Sequence, residues 1–306
     1  MKRARLNLDL TSVIVMIAAG VLLPVLLSTA VGIVALVAAE NTTGIVTGVL
    51  IISFTVTAAG CGLLALVFAG RKARLARQQA DFIANISHEL RTPLSAIRLY
   101  AHTLHSGKLR DDPKETERCI ATILRETSWL DVMIERVLTW RASSKDMMEL
   151  SVETRPVSKA VRGAMDRFAS LVPPGEVTLS CSIETSQCVR HDGEALSTVV
   201  LNLLTNAYKY TGSRKEISVG VEGRDGRVVI DVKDNGIGLS PTEARQIFKP
   251  FYRVERGEAS RTGGIGLGLA IARKLVIRHG GSISVSSEKH KGSSFTISLP
   301  ALEGES

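Results

Sequence analysis

The sequence predicts three successive parts: two transmembrane α-helices, an α-helical hairpin and an α/β two-layer sandwich. Three observations predict them. Residues 10–69 are almost free of charge, with Glu40 the only charged side chain. Residues 71–137 carry apolar side chains at spacings of mostly three or four. After Ser143-Ser144-Lys145, short β-like runs alternate with helical ones.

The apolar region divides into spans expected at residues 10–39 and 45–69, each longer than the roughly 20 residues a bilayer core requires. Pro24 lies inside the first span, where membrane helices tolerate it. A loop of residues 40–44 separates the two. Lys2, Arg3 and Arg5 in the basic N-terminus (residues 1–9) precede the first span, and Arg71, Lys72, Arg74 and Arg77 follow the second. Basic flanks mark the cytoplasmic side. Both flanks are therefore expected in the cytoplasm, in a multi-pass protein of a bacterial inner membrane. These seven residues account for most of the formal net charge of +8, which argues against a nucleic-acid partner. A five-residue outer loop offers no ligand-binding domain. A stimulus is expected through the spans, the bilayer or a membrane protein partner. Cys61, Cys119, Cys181 and Cys188 form no CxxC pair, so neither a zinc site nor a disulfide framework is expected.

Residues 70–145 are expected to form the hairpin. Leu75, Phe82, Ile86, Leu90, Leu94, Ile97, Ala101 and Leu104 make one apolar stripe, ended by Gly107. Asp111-Asp112-Pro113 starts the second helix, whose stripe is Ile120, Ile123, Thr127, Leu130, Ile134 and Val137. One hairpin buries two stripes poorly, so a homodimeric four-helix bundle is expected. Residues 146–302 are expected to form the sandwich. β-like runs lie at Glu149–Val152, Val177–Ile183, Ile217–Val221, Val228–Val232, Ser282–Val285 and Phe295–Leu299, with an Asp225-Gly226 hairpin turn. Helical patterns lie at Val157–Ser170, Glu194–Tyr208, Pro241–Ile247 and Leu267–Arg278. The sheet is expected to be mostly antiparallel.

The chemistry lies in five strings. In Phe82-Ile83-Ala84-Asn85-Ile86-Ser87-His88-Glu89-Leu90-Arg91-Thr92-Pro93-Leu94, His88 sits two residues from both Ile86 and Leu90, which turns it off the apolar stripe. An outward neutral imidazole can act as a nucleophile, and Glu89 could orient the ring or accept its proton. Thr92 lies one turn on, and Pro93 cannot donate to the carbonyl of Glu89. In Asn202-Leu203-Leu204-Thr205-Asn206-Ala207-Tyr208-Lys209-Tyr210, Asn202 and Asn206 are one helical turn apart, with Lys209 three residues further. Amide oxygens suit a hard Mg²⁺, and an ammonium suits phosphate. Asp234-Asn235-Gly236-Ile237-Gly238 ends an alternating strand. Phe248-Lys249-Pro250-Phe251-Tyr252-Arg253 precedes a charged stretch, Val254–Thr262, that suits a lid. Gly263-Gly264-Ile265-Gly266-Leu267-Gly268 opens a helix, where backbone N–H groups and the helix N-terminus favour phosphate.

In order and spacing these strings resemble the H-, N-, G1, F and G2 boxes of sensor histidine kinases. The resemblance covers the hairpin and the sandwich but not the spans. It implies a dimerisation and phosphotransfer hairpin followed by an ATP-binding domain of the Bergerat (GHKL) kind. It implies His88 as the phosphorylated residue, Glu89 as its catalytic neighbour, and Thr92 as the residue that positions a water to dephosphorylate the regulator. Asn206 would bind Mg²⁺, Asn202 and Lys209 would face the triphosphate, and Asp234 would accept from the adenine amino group. Tyr210, Gly236, Gly238, Arg253, Gly264, Gly266, Leu267 and Gly268 would complete the ATP site. The phosphoryl group would pass to an aspartate on the receiver domain of a separate response regulator. Lys249 stands where an acid is common, Ile265 where a small hydroxyl residue is usual, and His290 where a glycine is common. A related ATPase of the gyrase or Hsp90 kind would need a glutamate base where Asn202 stands. A response-regulator phosphatase or a non-catalytic membrane scaffold is the other reading.

Overall fold

The computed structural model describes residues 23–107, 112–144, 149–254 and 265–302. The expected start of the first span (10–22), Gly264 and all of the expected lid except Val254 lie outside them. The chain divides between Ala80 and Asp81 into two units.

In the first unit, α1 (Leu23–Val37) is an apolar helix of 15 residues. At 1.5 Å per residue it is about 22 Å long, short of a bilayer core of about 30 Å. The next helix, α2 (Thr42–His105), supplies residues to both units. Its segment Thr42–Ala73 is long and apolar enough to cross a membrane, and it is the one such helix among the described residues. The expectation of two spans is therefore met by one; the described part of the other is too short. Gly32 and Gly48 let α1 and α2 approach closely. A Cβ on Gly48 would lie 3.1 Å from the carbonyl oxygen of Gly32, the small-residue contact that favours helix packing in lipid.

In the second unit the hairpin and sandwich follow. Pro93 lies inside α2. The helix ends where Gly107 turns to φ 70°, a left-handed conformation that costs glycine little. Helix α3 (Pro113–Ser144) starts with proline at its first position, and Asp112 Oδ1 accepts the amide of Glu115 at 3.1 Å. The sandwich adds β1 (Glu153–Pro156), α4 (Ser158–Leu171), β2 (Val177–Ile183), β3 (Cys188–His191) and α5 (Gly193–Tyr210). It continues with β4 (Lys215–Arg224), β5 (Arg227–Asp234), α6 (Pro241–Ala244), α7 (Gly268–Arg278), β6 (Ser282–Glu288) and β7 (Gly292–Pro300). The main sheet has the order β2-β4-β5-β7-β6. Only the β2–β4 pair is parallel.

Alternation explains the layers. Ile217, Val219 and Val221 of β4 and Val228, Ile230 and Val232 of β5 are buried on one face. Against them pack Leu196, Leu203 and Leu204 of α5 and Ile271 and Leu275 of α7. Each such side chain contributes roughly 2 kcal/mol on burial. Three elements differ from expectation: strand β3, which is not among the expected runs, and two whose bounds differ. The first strand is β1, not Glu149–Val152, because the amide of Ser151 donates to Asp192 Oδ2 at 2.9 Å instead of joining a ladder. The helix expected at Pro241–Ile247 stops at Ala244 after a Ser240–Glu243 capping box.

Candidate functional site

Helix α5 positions the first side chains. Asp192 caps it by accepting the amides of Glu194 and Ala195, both at 3.0 Å. Its last turns present Thr205, Asn206, Lys209 and Tyr210 to a cavity. Asp234, Ile237 to Leu239, Ile247, Tyr252 to Val254, residues 265–269, Ser293 and Phe295 line the same cavity. The hairpin supplies Glu89, Trp129, Met133 and Arg136.

Asp234 ends β5 and is only 6% exposed. Its Oδ1 accepts the amides of Gly236 at 2.9 Å and Ser293 at 3.3 Å. Burial raises its pKa, and the two amides partly offset this. A carboxylate held in this way at the wall of a cavity is an acceptor for an amino group. Gly236 and Gly238 shape the turn that follows. Gly238 has φ 62°, and a Cβ there would lie 1.9 Å from the carbonyl oxygen of Glu288. The amide of His290 closes this corner on the carbonyl of Ile237 at 2.8 Å. His290 itself has φ 64°, which accounts for glycine being common at its position in the family it resembles.

Lys209 is enclosed, and burial lowers its pKa to about 8; Glu89 opposes this, while Arg253 and Arg136 add to it. Its Nζ lies 5.2 Å from the centre of the Tyr210 ring, within cation–π range. Arg253 Nη1 is 4.0 Å from Glu89 Oε1. Lys209, Arg253 and Arg136 thus surround a cavity wall that holds the Glu89 carboxylate. Such an excess of positive charge attracts a polyanion.

The structure gathers most of the sequence-predicted site. Asn206, Lys209, Tyr210, Asp234, Gly238, Arg253, Gly266, Leu267 and Gly268 line the cavity. Gly236 is buried against the Tyr210 carbonyl, and Gly264 lies outside the described residues. One residue sits differently from expectation. Asn202 is 2% exposed and outside the lining; its Oδ1 accepts Nε of Arg136 at 2.7 Å. Glu89 is 7% exposed and faces Arg253, whereas His88 and Thr92 are exposed on α2. Trp129, Met133 and Arg136 were not anticipated. With Trp140, whose ring packs edge-on against Phe251 at 5.8 Å, they recur at spacings of four, three and four. That is a second stripe on α3, visible in the sequence as two tryptophans eleven residues apart.

Comparison with known proteins agrees with this layout. Residues 78–141 match the family model of the His Kinase A (phospho-acceptor) domain. Residues 191–303 match that of the histidine kinase-, DNA gyrase B- and HSP90-like ATPases. The sensor protein SrrB of Staphylococcus aureus (strain N315) is 29% identical over 229 residues, which are 75% of this chain and 39% of the relative. The chain thus spans about two fifths of the length of the curated relatives it matches. The structure of full-length ShkA in complex with AMPPNP is 25% identical, with a TM-score of 0.50, over 73% of this chain and 46% of that one. The mycobacterial sensor histidine kinase MprB is 26% identical over 49% of this chain and 97% of that chain, with a TM-score of 0.43. The two domain models follow one another in the order phospho-acceptor then ATPase, and together they cover more than half of the chain. The chain belongs to the sensor histidine kinases of two-component systems.

Proposed function

We propose that this chain uses Mg-ATP to phosphorylate His88 and passes the phosphoryl group to an aspartate on a separate response regulator. The observation that carries the proposal is one cavity holding Asp234 at its wall, Lys209 and Arg253 beside it, and Glu89, the neighbour of His88, reaching in. Asp234 accepts from the adenine amino group. Lys209 and Arg253 take the phosphates, and the exposed imidazole of His88 receives the γ-phosphoryl group as ADP leaves. Such a transfer requires mostly positioning and charge stabilisation. Asn206 lines the same cavity, and an amide oxygen suits a hard divalent ion. Bound there, Mg²⁺ would neutralise developing phosphate charge. Phosphates on Arg253 release Glu89, which is then free to orient the ring of His88 or take its proton.

Two further parts of the reading rest on exposed apolar surface. Leu94, Leu99, Ile120, Leu124, Ile134 and Leu138 of the hairpin are exposed, which supports pairing with a second copy as a four-helix bundle. The exposed apolar segment Thr42–Ala73 supports a membrane anchor, with the phosphotransfer and ATP-binding parts in the cytoplasm. A regulator-dephosphorylating role draws on Thr92, exposed one turn beyond His88. The test incubates the full chain in lipid nanodiscs with γ-labelled Mg-ATP, beside H88Q and D234N. Label in the wild type and in neither variant supports the proposal. No label in a wild type that still binds ATP would leave the phosphatase or scaffold reading.

A further inference from the structure

The guanidinium of Arg136 comes from the hairpin and yet lines the same cavity as Lys209, Asp234 and Arg253. Its Nε donates to Asn202 Oδ1 at 2.7 Å and its Nη2 to Thr205 Oγ1 at 2.5 Å. Both acceptors are buried and uncharged. They fix the plane of the guanidinium without neutralising it. A guanidinium has five N–H donors, so three remain.

The neighbouring acids are engaged elsewhere. Glu135 adjoins Arg136 in sequence, but its carboxylate takes Arg167 Nη2 at 2.5 Å and Thr198 Oγ1 at 3.3 Å. Glu89 is paired with Arg253. Among the described residues no carboxylate lies within ion-pair distance of Arg136. The Nδ2 of Asn202, beside it, is buried with no partner. A fixed cation with three further N–H donors therefore lines the cavity; Glu135 and Glu89 act on its charge from a distance, but neither is ion-paired with it. Burial lowers the guanidinium pKa only to about 10, so it is charged at neutral pH.

We propose that Arg136 is a phosphate-binding residue of the nucleotide site, supplied by the second hairpin helix. The inference rests on the nucleotide reading above and extends it: the phosphate site is complete only while α3 is docked on the sandwich. Besides the Arg136 and Glu135 contacts above, two tryptophans dock it. Trp129 Nε1 donates to the carbonyl of Leu171 at 2.8 Å, and Trp140 packs against Phe251. Guanidinium suits phosphate because its fork can hold two oxygens at once.

The test measures the affinity of the full chain for a fluorescent ATP, with adenosine read by competition, in the wild type, R136M, R136Q and R136K. Hydrogen bonds to charged groups contribute about 1.5–3 kcal/mol, which is tenfold or more in affinity. R136M and R136Q are expected to bind ATP at least tenfold more weakly, with adenosine unchanged and R136K intermediate. R136Q, with no charge but with an amide donor, replaces R136M if the latter does not fold. Unchanged ATP affinity in the uncharged variants overturns the inference. Equal loss for adenosine and ATP also overturns it, because that pattern belongs to packing. Tighter ATP binding would overturn it too, since Arg136 would then be a latch that ATP displaces. A wild type that binds no ATP sinks the nucleotide reading itself and the inference with it.

Discussion

Two glycines with nearly the same backbone angle separate the cost of conformation from the cost of contact. Gly226 has φ 67° in the β4–β5 turn, and a Cβ there would meet nothing within 4 Å. Gly238 has φ 62°, but its Cβ would lie 1.9 Å from the carbonyl oxygen of Glu288 and 2.7 Å from the carbonyl carbon. An alanine at either position bears the left-handed penalty of about 1–2 kcal/mol, partly offset by a stiffer unfolded chain. G226A should therefore cost about 1 kcal/mol. G238A must also move backbone, since ordinary contact begins at 3.4 Å; the shortfall is about 1.5 Å. That corner is tied by His290 N to the carbonyl of Ile237 and by Leu239 N to Ser287 Oγ, both at 2.8 Å. Overpacking of this kind costs about 1–3 kcal/mol more. Urea unfolding of the full chain should show G238A losing two to four times the stability that G226A loses. Ile237, Gly238 and Leu239 line the cavity, so G238A should also weaken ATP binding. Gly226 lies at the far end of β5 from Asp234, so G226A should not. Equal stability losses, or full ATP affinity in G238A, would refute the reasoning.

Further outcomes follow from the buried charges. Lys209 titrates near 8 in the fold, below its unfolded value. Its burial therefore costs stability fully below pH 8, and the cost fades as pH rises from about 8 to 10.5. ATP phosphates should restore its proton, so calorimetry at pH 8.5 in buffers of different ionisation enthalpy should show proton uptake on binding, absent in K209M. His191 is fully buried, its Nδ1 3.0 Å from the carbonyl oxygen of Val189, and burial lowers its pKa. The unfolded chain then takes the proton first, so stability should fall as pH drops below about 6.5. Urea midpoints for H191L should show a flatter dependence over that range. D234N should weaken binding of ATP and adenosine alike by about 10- to 100-fold, the loss expected for a charged acceptor; loss for ATP alone would place the adenine elsewhere.

Much of the fold was legible because its strands alternate cleanly. Val177–Ile183 was read at its observed bounds, and the Asp225-Gly226 turn carries positive φ at both residues. The missed strand β3 has four residues, of which only Val189 and His191 are fully buried, too short to show a period. The cavity-lining side chains Asn206 and Lys209 of α5 were legible from their helical spacing. What spacing could not give was which of two stacked asparagines faces the cavity. Asn202 is turned away by Arg136, a partner 66 residues distant in sequence. The contact of Glu89 with Arg253 of the sandwich is likewise distant in sequence, and its position beside His88 does not reveal it.

The central claim is that His88 is the residue that takes the phosphoryl group. The most direct measurement digests the chain with trypsin after incubation in nanodiscs with γ-labelled Mg-ATP, and locates the label. Cleavage after Arg77 and Arg91 leaves residues 78–91 as one peptide, with His88 its only histidine. The account predicts acid-labile, alkali-stable label confined to that peptide. Label on any other peptide, or acid-stable label on a hydroxyl side chain, would contradict it.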